Sequence, residues 1–484
     1  MWKIIAEREL RDHLQSTRFL VAASVSALLI ILSIWFGIAH YKARLAQHEQ
    51  AAQMMLDLAS EQTNWMMVSA AAFRKPDPME ILSIGVSSDI GRYSEIGPWR
   101  NIRLVRSEYS DDPMLAVFQF LDPTFIVMIV LSLIAILFTY NAVNGEKEGG
   151  TLKLAFANKL SRADFILGKL AGSWLAIIAP VIISFLVGAL LLIVLGIDMT
   201  ASHWGRYAFF VLAAILYTMC FMLIGVFVST LTHRSSVSFL ILLVVWITAV
   251  LIVPKAATML AGQAMPVPTA DEIESRLTSY SAQARNEFFA DMQRSMRERF
   301  RAVESMKPDE RDQDFAQNRA KWMQENDEKR KVMDQKIADY SSRLFEDYYN
   351  QKSGQELLAF SLSKFSPASQ FQLASMKLSG TDTGLKRRYE DAMKNYKTQY
   401  GKFIEQKGGG FGMRFSFGRG SASSSGPGQS SSKINVSEMP RFQDPVYSFG
   451  EAVSSSLFDL GLIMLVNTLA FACAFVAFLK FDMR

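Results

Sequence analysis

Long apolar runs alternate with polar stretches along this chain, and the lengths of the runs set its class. Phe19–Ala39, Thr124–Val143, Ala171–Leu195, Tyr207–Ser229, Ser236–Val253 and Leu460–Leu479 each approach the roughly 20 residues that a helix needs to cross ~30 Å of hydrocarbon. Six membrane spans are expected. The third, fourth and fifth follow one another so closely that they must form antiparallel hairpins. The first run is too long for a secretory h-region and no small-residue cleavage site follows it, so it is expected to stay as an anchor. Ahead of it, residues 1–18 place Trp2, Ile5, Ala6, Leu10 and Leu14 at helical spacing among charges, the pattern of a short amphipathic helix on a membrane surface.

The polar stretches between spans differ in kind. In 40–123 a helical start, about Tyr41–Leu58, continues the first span, and FRKPDPMEILSIGVSSDIGR then reads as loop with a strand. The segment 254–459 is long enough to be a domain. Met333, Ile337, Tyr340 and Leu344 alternate four and three apart, as in a coiled-coil seam, and Tyr389, Met393, Tyr396, Tyr400 and Phe403 repeat the pattern in a later helix. Pro308 is expected to separate the first helix pair. The Gly/Ser-rich run 408–433 buries too little apolar surface to offset its ordering entropy and is expected to be a flexible loop. The expected fold is an all-α polytopic membrane protein: six transmembrane helices carrying a largely helical, coiled-coil-like extracytoplasmic domain.

Charge orients the spans. One side collects Lys3, Arg8, Arg11 and Arg18, then Lys147, Lys153, Lys159, Arg162 and Lys169, then Arg234, Lys480 and Arg484; the short loop 197–206 on the other side has Arg206 alone. Both termini, including the tail 480–484, and the loop 144–170 are therefore expected on the cytoplasmic side of a bacterial inner membrane. The segments 40–123 and 254–459 are expected outside. The net charge of +5 includes no dense basic stripe with aromatics, which argues against nucleic acid as a partner. Cys220 and Cys473 both fall in apolar runs, so the polar segments can form no disulfide.

Candidate chemistry is sparse. Gly145 and Gly150 have the spacing of the outer glycines of a phosphate-binding loop, but Thr151 stands where that loop needs a lysine, and the segment follows a membrane helix rather than a strand. Histidines 13, 40, 48, 203 and 233 are scattered, with no pair four apart. No catalytic residue, metal site or cofactor of its own is expected for this chain, which is not read as an enzyme. Within the spans Asn467 is the main polar candidate, read as an interhelix hydrogen bond rather than part of a transport path, and Asp459 is expected to reach water at a span edge. Gly168-x-x-x-Gly172 and Ala470-x-x-x-Ala474 would permit close helix contact.

The loop 144–170 is the remaining candidate, as a contact surface. GEKEGGT breaks the helix leaving the second span. TLKLAFANKL can then form a short helix presenting Leu152, Leu154 and Phe156, and Ser161 with Asp164 three residues on makes a loose capping box for the next helix. A partner pushing on such a helix would move two spans at once.

EKEGGTLKLAFANKLSRADFILGKLAG resembles the cytoplasmic loop of ABC-2 type transporter permeases, typically E-K-E-x-G-T-L-x-L-L-L-S-x-P-x-S-R-x-x-x-L-x-G-K. Glu146, Glu148, Gly150, Thr151, Leu152, Leu154, Ser161, Arg162, Gly168 and Lys169 match, whereas Asn158-Lys159-Leu160 stands where the family has a proline before Ser-Arg. KIIAERELRDHLQSTRFL, KPDPMEILSIGV, FSPASQFQLASMKLSGT and AFVAFLKFDMR are similar to a subgroup with a large extracytoplasmic insert before the last span. The resemblance implies an exporter permease subunit working with a second permease, identical or paralogous, and with separate ATP-binding subunits that hold ATP and magnesium. It also implies that Glu146, Glu148, Gly150, Thr151, Leu152, Leu154, Phe156, Ser161, Arg162 and Lys169 belong to the contact with the ATPase. Membrane lipid and a periplasmic protein are further partners on this reading. The alternatives are ATP-driven mechanical work on periplasmic partners without solute transport, and a membrane-anchored sensor or scaffold.

Overall fold

The computed structural model describes residues 1–62, 68, 70–96, 102, 104–111, 121–152, 156, 161–304, 308–406 and 435–480. Leu154, the Gly/Ser-rich stretch 408–433 and residues 481–484 lie outside them. The described chain is helical almost throughout. Six helices are long and apolar enough to cross a membrane: α2 (Thr17–Ser60), α3 (Pro123–Glu148), α4 (Arg162–Val194), α5 (Ala201–Leu231), α6 (Ser235–Ala264) and α11 (Phe449–Lys480). The remaining long helices are α1 (Trp2–Leu14), α7 (Ala270–Glu304), α8 (Pro308–Ser363), α9 (Pro367–Ser379) and α10 (Gly384–Gln406). One antiparallel hairpin pairs β1 (Ala70–Phe73) with β2 (Tyr93–Ile96), with Ala70 opposite Ile96. The protein is an all-α polytopic membrane protein.

The chain divides into two compact units, Met1–Ile252 with Ser366–Arg484, and Val253–Phe365. In the first, α5 supplies the centre of the core: Phe210, Ala213, Ala214, Tyr217 and Phe221 are fully buried, packed mainly against α3, α9 and α11. The outward faces of α2 and α4 expose Val25, Leu28, Ile183 and Leu190, as expected where lipid rather than protein is the neighbour. Both α3 and α6 contain a π-helical turn, at Val127–Leu131 and Ile247–Ile252, and the Trp246 indole N–H donates to Ser132 Oγ at 2.8 Å beside them.

The segment read from sequence as one outer domain, 254–459, is shared between the two units. Helix α9 belongs to the first, where Phe371 stacks on Tyr217 with ring centroids 4.8 Å apart. Its inward residues Ala368, Phe371, Ala374 and Leu378 follow helical spacing, but the interleaved Gln370, Ser369, Ser375 and Ser379 are buried too and lower the hydropathy that would have announced it. Asp459, expected to reach water, is instead fully buried, with Lys377 of α9 at 2.6 Å. The α9 helix brings its own cation to the carboxylate, which solvates the charge in place of water.

Beyond the apolar part of α2, the hairpin and α10 close over its far end. Tyr389, Met393, Tyr396 and Tyr400 of α10 pack as a buried stripe against Ala70, Ala72 and Ile96. Beneath them lies a buried ion network. Arg44 of α2 pairs with Glu80 and, at 2.9 Å, with Glu108; Arg74 reaches Glu80 at 3.2 Å; Ser88 donates to Glu108 at 2.7 Å. Burial alone would raise the pKa of Glu108, but hydrogen bonding to His40 and the charge of Arg44 prevail and bring it down to about 2.

Asp122 caps α3, accepting from the Phe125 and Ile84 amides at 2.8 and 3.1 Å. Burial pushes its pKa up to about 6 despite these bonds. A raised carboxylate pKa makes the charged form a liability, so this residue's contribution to stability falls as pH rises from about 4 to 6. Asp122→Asn cannot ionise, keeps an acceptor for only one of the two amides, and is expected to flatten this part of the pH–stability curve at some loss of overall stability, read by thermal unfolding between pH 4 and 7. An unaltered curve would remove Asp122 as its source.

In the second unit, α7 and α8 run antiparallel. Tyr280 stacks on Tyr340 at 3.9 Å, Asp291 meets Lys329 at 2.7 Å and Arg299 meets Glu325 at 2.6 Å, so partner numbers fall on one helix as they rise on the other. Met333, Ile337, Tyr340 and Leu344 are all half-buried along this seam. The end of α6 packs on α8, with Gln355 donating to the Met265 carbonyl at 2.6 Å.

Candidate functional site

The described residues where α3 ends bond to the ends of neighbouring helices. Lys147 donates to the Thr230 and Thr232 carbonyls at 2.6 and 3.2 Å, where α5 ends with unsatisfied acceptors. Glu148, one residue on, accepts from the Ser235 amide at 2.9 Å and its hydroxyl at 2.7 Å, where α6 begins with unsatisfied donors. Each charge thus faces the pole of opposite sign. Asn144 is buried between them, donating to Thr232 Oγ1 at 3.0 Å, and Ser229 accepts from the Val143 and Asn144 amides.

Glu146 points the other way, toward Lys169 of α4. The Lys169 ammonium lies 3.2 Å from Glu146 and 2.9 Å from Glu9 of α1, nearly buried among them. Burial would raise the pKa of Glu9, yet hydrogen bonding to His13 and the charge of Lys169 hold it below the usual carboxylate range. Ser161 caps α4, accepting from the Asp164 amide at 3.0 Å, and Asp164 accepts from the Trp2 amide at 3.2 Å. Arg162 donates to the Leu479 carbonyl near the end of α11. Phe156 completes an aromatic cluster with Phe165 (5.5 Å) and Phe478 (6.1 Å), which stack on each other. Leu152 is buried, and Gly150 adopts φ +67°, a left-handed turn that lets the chain leave α3 just after its end at Glu148. Thr151 hydrogen-bonds to Glu146.

Helix α1 is seated on α4 through Gly168 and Gly172. A Cβ at Gly168 would lie 2.6 Å from Ile5 Cβ, and one at Gly172 the same distance from Glu9 Cβ. Gly168→Leu is expected to displace α1 and cost about 1–3 kcal/mol by overpacking. Faster amide exchange over residues 2–14 is the readout; unchanged exchange would mean that α1 is held some other way.

A family model described as ABC-2 family transporter protein matches residues 3–483. The chain belongs to the ABC-2 transporter family. Among its curated relatives is the probable ABC transporter permease protein NosY of Stutzerimonas stutzeri, 32% identical over 125 residues, which are 25% of this chain and 45% of that protein. Another is the protein of the same description from Pseudomonas aeruginosa, 35% identical over 79 residues, 16% of this chain and 29% of that one. The chain matches less than half the length of either relative.

In this ABC-2 family member the structure brings Glu146, Glu148, Gly150, Thr151, Leu152, Phe156, Ser161, Arg162 and Lys169 into one region and joins them to α1, α5, α6 and α11. It leaves Asn467 apart, midway along α11, where its side chain donates to the Leu216 carbonyl at 2.9 Å and links two spans. Lys147, Asn144, Ser235 and Glu9 were not singled out from the sequence. Lys147 and Ser235 carried a signal, since one is a cation in line with two glutamates and the other stands just before the fifth apolar run. Glu9 carried none, because its partner Lys169 is 160 residues away in the chain.

Proposed function

We propose that this chain is the membrane-spanning permease subunit of an ATP-binding cassette exporter. A separate ATPase subunit, which holds ATP and magnesium, docks on the 144–170 loop. The observation that carries this reading is the way the loop is tied down. Lys147 holds the end of α5, Glu148 the start of α6, Glu146 the base of α4 and α1, and Arg162 the end of α11. Force applied to this one surface is passed through these contacts to the ends of α1, α4, α5, α6 and α11. The charge distribution supports a bacterial inner-membrane location with both termini and this loop in the cytoplasm. A second permease, identical or paralogous, completes the pathway.

The test is a mild-detergent pull-down of the full chain from its native membrane, with mass spectrometry of what accompanies it. Recovery of an ATP-binding cassette protein, lost when Leu152–Phe156 is deleted while the variant still inserts, supports the reading. Recovery only of periplasmic or signalling proteins would end it in favour of a sensor or scaffold. A second reading, mechanical work on a periplasmic partner, is favoured by the long antiparallel pair α7 and α8, more helix than a solute pathway needs. Vesicles in which the reconstituted complex moves a labelled solute unaided would exclude it.

A further inference from the structure

Between α2 and the β hairpin lies a cavity of about 560 Å³, within the size range of small-molecule sites. Its walls are of two kinds. Arg44, Arg74, Arg92 and Arg106 form one; Ala51, Met55 and Phe73 contribute to the other. An adjoining cavity of about 230 Å³ shares His48, Met55, Ala71 and Phe73 with it and continues past Leu56 and Phe442. Polar and apolar space are therefore contiguous.

The four guanidiniums are not equivalent. Arg44 and Arg74 are committed to Glu80 and Glu108 beneath the wall. Arg92 is only weakly engaged, 3.6 Å from Glu108 and hydrogen-bonded to Gln47 at 3.2 Å. Arg106 is exposed and makes no ion pair among the described residues, its guanidinium lying 5.8 Å from the Tyr93 ring centroid. It also has φ +58°, a region that non-glycine residues rarely adopt and that tends to mark ligand sites. Among the described residues the carboxylates at or beneath this wall are Glu80, Glu95 and Glu108, and Asp444 stands with Arg441 on the second cavity, so positive charge is in excess. Arg74 Nε, Arg92 Nε and His48 Nδ1 are buried without a hydrogen-bond partner among the described residues.

We propose that this cavity binds a small amphipathic anion, its phosphate or carboxylate head held by Arg92 and Arg106 and its apolar tail running along Met55 and Phe73 into the second cavity. Guanidiniums bind both head groups through paired N–H donors. A purely polar anion would leave the far wall unfilled, and a neutral or cationic amphiphile would face unneutralised arginine. The site stands on its own residues and does not depend on the role given to the 144–170 loop.

The experiment uses the full chain in phosphatidylcholine nanodiscs and radiolabelled hexyl phosphate as the probe. Saturable binding is expected, competed by hexanoate but not by hexanol or hexylammonium. Arg106→Asn, chosen because asparagine tolerates positive φ, is expected to weaken binding roughly tenfold or more. Ala51→Trp, which fills the apolar side and leaves the ion network alone, is expected to abolish it. If phosphatidylglycerol in the disc displaces the probe, the natural occupant is a lipid headgroup; if it does not, the occupant is a soluble anion. No saturable binding, or equal binding by wild type and both variants with unchanged melting temperatures, would overturn the proposal.

Discussion

Lowering the pH from 5 to 2 is expected to remove about 3 kcal/mol from the stability of the purified protein through Glu108 alone. In the folded chain its pKa is brought down to about 2, against 4.5 for a free glutamate, because burial is outweighed by hydrogen bonding to His40 and the charge of Arg44. A depressed carboxylate pKa stabilises the fold above the unfolded value. That stability is lost as pH falls from about 4.5 through about 2. The window lies mostly below the one governed by Asp122, and the two act in opposite directions, so they separate in a titration. Glu108→Gln is expected to lower stability at pH 7 by about 3–5 kcal/mol, since it leaves Arg44 buried with one of its two carboxylates gone. The difference between wild type and variant should shrink as the pH is lowered. Denaturant or thermal unfolding in detergent from pH 7 to pH 2 checks this; a difference that stays constant with pH would show that the network does not depress Glu108.

On the function proposed above, Glu148→Lys is expected to reduce ATP-driven transport on the order of tenfold, the scale of a typical coupling free energy, while leaving the spans folded. The substitution removes both bonds to Ser235 and puts a cation beside the positive end of α6, next to the existing Lys147. Because Glu148 is exposed, melting temperature should change little. Loss therefore appears as ATP hydrolysis no longer matched by transport in reconstituted vesicles. Ser235→Ala, which leaves the carboxylate and its charge in place, is expected to be milder. Normal transport by Glu148→Lys would take Glu148 out of the coupling path.

The helical, six-span character of the chain was legible because apolar run length answers directly to bilayer thickness. So was the α7–α8 seam, whose four-and-three spacing places Met333, Ile337, Tyr340 and Leu344 between helices. Helix α9 was hidden. Its serines are buried inside the bundle, and hydropathy counts them as polar whatever they touch. The loop's motif residues were recognisable as a group, but not the direction in which they face. Glu146 and Glu148 sit two apart and match one motif, yet one pairs with Lys169 and the other caps α6. Their partners Lys169 and Ser235 are close only in three dimensions.

Helix α2 runs for 44 residues without a break, so it is about 66 Å long, and more than half of it extends beyond the ~30 Å of hydrocarbon. It acts as a lever arm. Pivoting it by 5° about its first turn would carry its last turn through about 6 Å. Arg44, Gln47, Ala51 and Met55, which line the cavity between α2 and the β hairpin, ride on the distal part of that arm. Whatever fills the cavity wedges the lever against the β hairpin, and a lever so wedged resists tilting of the first span. By reciprocity, a tilt imposed from the other end must change how tightly the cavity holds its guest.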